Sequence, residues 1–456
     1  SMSQRRVAMV TLGCARNDVD SDELAGRLLA DGWTVVDDPD DADAVLVNTC
    51  GFVEAAKKDS IDTVLGLQDG SRSVVAVGCL AERYGDELAQ ALPEANAVLG
   101  FDAYPEISAQ LAAVVAGEQL PSHTPRDRRK LLPISPVDRQ DSQAQVPGHS
   151  PQRIRLETGP IASLKIASGC DRRCSFCAIP SFRGSFVSRR SGDVLTEARA
   201  LVSDGVRELN LVSENSTSYG KDLGDLRLLE TLLPELAGLH PDLRIRLAYL
   251  QPAEMRPGLV DVMTSTTGVA RYFDLSFQHA SPQVLRSMKR FGGIDDFLAL
   301  VAQIRVSAPD AGLRTNVIVG FPGETEADLL ILEDFLEKAS LDAIGVFGYS
   351  NEDGTTAMKL PDHHDQATVD QRVARISELV ENLMDERAHE RVGSVVSVLV
   401  ERFDAQGQAV GRAEHQGPED GDVTIVSPSR SRIGEVIHAR VSSAEGVDLF
   451  ATEVDE

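Results

Sequence analysis

This chain has only six cysteines, and they fall into two sets of three. Cys170, Cys174 and Cys177 lie in the run Cys-Asp-Arg-Arg-Cys-Ser-Phe-Cys, whereas Cys14, Cys50 and Cys79 are spread through the first hundred residues. None is left over. Disulfides belong to oxidising compartments, and this long acidic chain shows no apolar signal core in its first residues, Ser-Met-Ser-Gln-Arg-Arg. The expected setting is the reducing cytoplasm, where thiolates stay free to bind metal, and Ser1-Met2 reads as an expression-tag scar. Two sets of three thiols then suggest two iron–sulfur clusters, each one thiolate short of full ligation.

Such thiols need a scaffold that brings them together. The 456 residues allow two to four domains, and 42% hydrophobic with 25% charged residues is a globular balance. No apolar run approaches the roughly 20 residues of a membrane helix. A net charge of −26 argues against a non-specific grip on nucleic acid. It fits a basic protein partner, or simply a solvated surface.

Within a first domain of residues 5–118, residues 6–103 alternate strand and helix. Val7–Leu12, Ala44–Val47 and Val74–Val77 read as strands, Ser21–Asp31 and Glu54–Gln68 as helices, together a doubly wound α/β domain. Each of Cys14, Cys50 and Cys79 follows one of these strands. In a parallel sheet they share the carboxyl edge, where open α/β folds bind ligands. Residues 119–160 form a Pro-rich linker, expected to be mobile in part, with prolines at 121, 125, 133, 136, 147, 151 and 160 and a basic cluster of Arg126, Arg128, Arg129 and Lys130.

Residues 161–391 hold a second β/α series, with strands at Ser163–Ala167, Glu208–Val212, Arg244–Tyr249, Tyr272–Phe277, Arg314–Val319 and Ala343–Tyr349, and a long helix from Gln366 to Arg391. Six units are too few for an eight-fold barrel, so an open, partial TIM-like barrel is expected. The three-cysteine loop follows its first strand. Residues 393–456 alternate with period two and carry Gly-rich turns, which predicts a small β-barrel of about five strands.

The loop of Cys170, Cys174 and Cys177 supplies three thiolates to a four-iron cubane and leaves one iron open. An open iron can chelate S-adenosylmethionine, whose reductive cleavage yields a 5′-deoxyadenosyl radical. A zinc knuckle is the plain alternative, but zinc wants a fourth His or Cys, and no His lies within about twenty residues of the loop. Cys-x3-Cys-x2-Cys after the first strand of a βα barrel resembles the radical S-adenosylmethionine superfamily, and Phe176 matches its usual aromatic beside the adenine.

Thr11-Leu-Gly-Cys14-Ala-Arg-Asn17 with Asp20-Ser21, Asn48-Thr-Cys50-Gly-Phe and Val77-Gly-Cys79-Leu-Ala resemble the N-terminal domain of the methylthiotransferases. The likeness covers nearly the whole chain, in the family's order of cluster domain, radical domain and TRAM β-barrel. It implies two 4Fe–4S clusters, the second held by Cys14, Cys50 and Cys79 and carrying the sulfur to be inserted. Gly169-Cys-Asp-Arg-Arg-Cys-Ser-Phe-Cys-Ala-Ile-Pro180, with Arg183-Gly184, looks most like the ribosomal-protein branch. The implied substrate is an aspartate of small-subunit ribosomal protein S-twelve, methylthiolated at its β-carbon. One S-adenosylmethionine supplies the methyl group and a second the radical, with an outside one-electron donor.

The same chemistry on tRNA adenosine is the near alternative. A non-catalytic iron–sulfur carrier or ribosome-assembly factor is the alternative from another class. The terminal barrel, from Gly393 to Glu456, has five Arg, no Lys and twelve Asp or Glu, which suits a basic protein better than tRNA. Further expected cofactor contacts are Glu214 and Gln278, after the second and fourth barrel strands, and Gly320 in Gly-Phe-Pro-Gly-Glu-Thr325. That last run reads equally as a turn capped by Thr325. Glu214-Asn-Ser departs from the Gln-Asp-Thr common in the branch. A monomer without membrane or specific DNA contacts is expected.

Overall fold

The computed structural model describes residues 4–131, 146–150 and 153–455. Ser1-Met2 and three of the linker prolines, Pro133, Pro136 and Pro151, lie outside the described residues. Strands β1 (Arg6–Thr11), β2 (Thr34–Val36), β3 (Ala44–Thr49), β4 (Ser73–Gly78) and β5 (Ala97–Val98) form one sheet in the order β2-β1-β3-β4-β5, with every pairing parallel. β3 is buried throughout, as a central parallel strand covered on both faces should be. Alternation splits its side chains: Leu46 joins a core with Leu24, Leu28 and Phe101, while Val45 and Val47 join another with Val64, Leu80 and Leu88.

The first helix begins at Ala15, six residues earlier than its apolar pattern indicates, and ends at Ala30. Its first turns bury the polar Asn17, Asp20 and Ser21 alongside Val19. The visible part of the linker is packed rather than loose. The N–H of His123 donates to the Val98 carbonyl, and buried Arg128 pairs with Glu82 and Asp102 at 3.2 and 3.1 Å.

The second series forms β6 (Ile161–Lys165), β9 (Glu208–Val212), β10 (Arg244–Leu247), β11 (Tyr272–Asp274), β12 (Gly312–Val319) and β13 (Ala343–Gly348), the short ribbon β7 (Ala167–Ser168) and β8 (Val187–Ser188) intervening after β6. β6, β9 and β10 pair in parallel, as do β11, β12 and β13, and single bridges Ile245–Val269 and Leu250–Leu275 join the halves. β6 and β13 remain edges, so the barrel is open. β11 stops at Asp274, three residues short of expectation. Beyond it the Phe277 N–H donates to the Thr315 hydroxyl, and Gln278 takes a left-handed backbone with φ of 68°.

β14 (Val395–Phe403), β15 (Ala409–Ala413), β16 (Val423–Ile425), β17 (Val436–Glu445) and β18 (Asp448–Glu453) close into a barrel in the order β14-β15-β16-β18-β17. Register shifts at Val400/Arg402 and Val441/Ser443 bend its strands enough to close. This small barrel seats on the amino ends of the larger barrel's strands, away from the cysteine loop. Buried Glu208 accepts from Arg246 and Arg412 at 2.9 Å each, and Asp420 accepts from Arg314 at 2.8 Å and from the Tyr272 hydroxyl at 3.0 Å. Part of the small barrel's acidity is thus spent internally: Glu401, Glu414, Asp420 and Asp422 all pair with arginines. Among the described residues no helix is long and apolar enough to cross a membrane.

Candidate active site

Three adjacent strand ends present Cys14, Cys50 and Cys79. Cys14 precedes the helix Ala15–Ala30, Cys50 follows β3 directly, and Cys79 opens a helix on leaving β4. The glycines before two of them have physical reasons. Gly13 (φ of 90°) could not carry a Cβ, which would lie 2.9 Å from Cys50 Sγ, and at Gly78 (φ of 89°) a Cβ would lie 2.7 Å from the Thr49 backbone nitrogen. Asparagines lock the edge. Asn17 Nδ2 donates to the Leu12 carbonyl at 2.8 Å, and Asn48 Nδ2 donates to the Asn17 carbonyl and to Ser21 Oγ at 2.9 Å. The Ser60 hydroxyl accepts from the Cys50 N–H at 2.9 Å.

The second triad sits on a loop pinned by the ribbon of β7 and β8. The Cys170 N–H donates to the Gly184 carbonyl at 3.1 Å, the Cys177 N–H to the Cys174 carbonyl at 3.2 Å, and the Ser175 hydroxyl to the Ser287 carbonyl at 2.7 Å. Arg290 Nη1 lies 3.5 Å from Cys174 Sγ.

The two triads are joined by one buried polar network. Arg183, just past the cysteine loop, donates to Cys79 Sγ at 3.3 Å, to Asn17 Oδ1 at 2.9 Å and to Asp20 Oδ2 at 2.8 Å. Asp20 also accepts from Lys165 Nζ at 2.6 Å. Glu214 Oε2 accepts from the Gly169 N–H at 2.9 Å, next to Cys170. Its other oxygen, buried without a hydrogen bond, lies 3.8 Å from Arg16 and 3.7 Å from Arg183. The Arg16 guanidinium stacks over Tyr249 at 4.6 Å. An uninterrupted set of contacts therefore runs from Cys79 through Arg183 and Glu214 to the cysteine loop.

Burial disfavours the free thiolate at these cysteines. Burial pushes Cys79 up to about 12, against the pull of Arg183 and with Cys14 and Cys50 adding to the rise. Burial likewise pushes Cys170 and Cys177 up to about 12, and thiols of the same loop add to it. Such thiols lose their protons when a cation replaces them. Among the described residues no three His, Cys, Asp or Glu groups converge closely enough for a single ion. A polynuclear cluster keeps its thiolates farther apart, and three neighbouring thiols per group suit it.

The other expected site residues fare differently. Phe176 is half-buried and packs against the large barrel's core. Glu214 spans the cysteine loop and the arginines instead of standing free at the mouth. Gln278 is half-buried, and its backbone bridges to β12, donating to the Asn316 carbonyl at 3.0 Å and accepting from the Ile318 N–H at 2.8 Å. Gly320 has its N–H bound to Glu324 Oε1 at 2.9 Å, and a Cβ there would lie 2.8 Å from Val369, so packing already explains this glycine. Thr325 forms a capping box with Asp328. Sequence reasoning missed Arg16, Asp20, Arg183 and Arg290 as site residues. Three of them stand inside the quoted motifs, but only the fold shows their partners.

Residues 6–100 match a family described as Uncharacterized protein family UPF0004, residues 164–336 the Radical SAM superfamily and residues 392–454 the TRAM domain. Together with the open barrel and its three-cysteine loop, these matches define a radical S-adenosylmethionine enzyme. A solved radical S-adenosylmethionine methyltransferase, TsrM from Kitasatospora setae with cobalamin and a [4Fe-4S] cluster bound, shares the fold with a TM-score of 0.55. It is 16% identical, over 76% of this chain and 75% of its own. The ribosomal protein uS12 methylthiotransferase RimO of Streptomyces avermitilis is 59% identical over 477 residues, 98% of this chain and 96% of its own. Its counterpart from Nocardioides is 61% identical over 462 residues, 98% of this chain and 96% of its own. The chain belongs to the family these proteins form, the ribosomal protein uS12 methylthiotransferases, and is a methylthio-transferring enzyme.

Proposed function

We propose that this chain inserts a methylthio group at the β-carbon of an aspartate of ribosomal protein uS12. Cys170, Cys174 and Cys177 would hold one 4Fe–4S cluster, and Cys14, Cys50 and Cys79 the other. When bound, these clusters supply, respectively, one-electron cleavage of S-adenosylmethionine to a 5′-deoxyadenosyl radical and the sulfur to be inserted. A radical is called for because no side-chain base readily deprotonates that carbon.

The observation that supports the reading is the contact path Cys79–Arg183–Glu214–Gly169, which links the two triads in one network. The protein's own contribution there is positional. Asp20, Lys165 and Arg183 clamp the N-terminal domain onto the first barrel strand, and Arg16 over Tyr249 keeps positive charge between the triads. Phe176 and Gln278 would border the bound S-adenosylmethionine, and Glu214 fixes the loop that would hold it. The setting is cytoplasmic and the working unit a monomer.

The assignment is tested by changing each triad to alanine under anaerobic conditions. Loss of Cys170, Cys174 and Cys177 should abolish 5′-deoxyadenosine formation. Loss of Cys14, Cys50 and Cys79 should halve bound iron and sulfide while 5′-deoxyadenosine still forms. Undiminished 5′-deoxyadenosine in the first variant, or unchanged iron in the second, would sink the corresponding cluster.

A further inference from the structure

The cysteine loop borders a surface cavity of about 490 Å³ whose charges are unevenly satisfied. Its acids are occupied. Asp171 accepts from the Phe186 N–H, Asp222 from the Ser188 N–H and hydroxyl, and Glu254 from Asn215 and Ser218. Of its cations, Arg172 is paired, 3.5 Å from Glu254. Arg173, Lys221 and Lys289 are exposed, and their side chains make no hydrogen bond or ion pair with any described residue. Phe291 stands beside them, 78% exposed. On a chain of net charge −26, four cations against three carboxylates leave this lining net positive by one, with its three unpaired cations outermost and an aromatic at its edge.

The patch is also close to the thiols. The Ser175 N–H donates to the Met288 carbonyl at 3.0 Å, and Arg290, between Lys289 and Phe291, reaches Cys174 Sγ. The same short segment thus presents its cation and aromatic outward and touches a candidate metal ligand inward.

We propose that this patch is the docking surface for an acidic protein that carries single electrons, delivering one to the metal group held by Cys170, Cys174 and Cys177. This rests on the function proposed above. The carrier loses one electron and the metal group gains it; no bond is made or broken and no proton moves. Charge complementarity steers the encounter, an exposed aromatic supplies a compact apolar contact, and a small area suits a transient redox partner. An RNA track calls for a longer run of cations than three, on a surface whose bulk charge is not repulsive.

The test uses the cluster-loaded enzyme and, as probe, an acidic flavodoxin. Lys221→Glu with Lys289→Glu and Phe291→Ser, all surface changes, should weaken flavodoxin binding measured by calorimetry by about tenfold or more. Wild-type binding should itself weaken with added salt. Bound iron and dithionite-driven 5′-deoxyadenosine formation should stay unchanged, while flavodoxin-driven formation falls in step with binding. Equal flavodoxin binding by variant and wild type would overturn the proposal. So would intact flavodoxin binding with lost turnover on ribosomal subunits, which would give the patch to RNA. If the wild type formed no 5′-deoxyadenosine even with dithionite, the radical function would fail, and the binding comparison would still judge the docking surface by itself.

Discussion

Asp20→Asn probes the clamp that joins the two cysteine-bearing domains. Asp20 is 1% exposed and accepts from Lys165 Nζ at 2.6 Å and Arg183 Nη1 at 2.8 Å, both cations buried. Asparagine keeps the shape, but its carbonyl oxygen satisfies only one cation and its amide turns hydrogens toward the other. Removing one partner from a buried pair costs about 3–5 kcal/mol. Taking about 3 kcal/mol, opening of the clamp becomes roughly 150-fold more frequent.

Native-state hydrogen exchange reads this directly, as lost protection of buried helix amides such as Val19 and Leu24. The pH dependence has a definite sign. Burial pushes the Asp20 carboxyl up, but Lys165 and Arg183 overcome it and hold the group below its ordinary range. Its folded value thus lies below the unfolded value of about 3.9. The stabilisation is fully present above that pH and is lost as pH falls through the folded value. The gap between wild type and variant should be full at neutral pH and shrink in strong acid. Equal protection at neutral pH, or a gap that widens in acid, would refute the clamp.

Glu208→Gln should loosen the small barrel from the large one, because Arg246 and Arg412 each lose a charged acceptor and Arg244 a neighbour at 3.6 Å; exchange of β15 amides should rise about 100-fold, and no change would contradict this. Thr325→Ala removes one side of the capping box on the helix Glu326–Ala339 at a cost of about 1 kcal/mol, so exchange in its first turn should rise about fivefold and remain unchanged in the other helices. Arg183→Lys keeps the charge but cannot reach Asp20, Asn17 and Cys79 together. In a background lacking the Cys170, Cys174 and Cys177 thiols, bound iron should persist while its electron paramagnetic resonance spectrum shifts; an identical spectrum would show that Arg183 does not touch that site.

The strand ends were legible because parallel strands are apolar throughout and stop at glycine. Val-Gly-Cys at 79 and Leu-Gly-Cys at 14 mark both the edge and the ligand. The barrel's openness followed from counting units. What stayed hidden were pairings across sequence: Asp20 meets Lys165 and Arg183 from more than 140 residues away, and no local pattern announces a buried lysine. The early start of the first helix was masked because its first turns bury polar residues that serve the neighbouring strand ends. β11 looked longer than it is because Leu275 and Phe277 are core residues past the end of the continuous ladder, beyond which Leu275 keeps only a single bridge to Leu250. The acidity of the small barrel was visible, but not that several of its acids are committed to arginines beneath the large barrel.

Which substrate receives the methylthio group tests the central claim most directly. The reduced, cluster-loaded enzyme with S-adenosylmethionine is offered uS12 within ribosomal subunits and, separately, bulk tRNA, and both are analysed by mass spectrometry. A gain of one methylthio group in place of one hydrogen on a uS12 aspartate, with tRNA unchanged, is the predicted result. The same gain on tRNA adenosine with uS12 unmodified would contradict it.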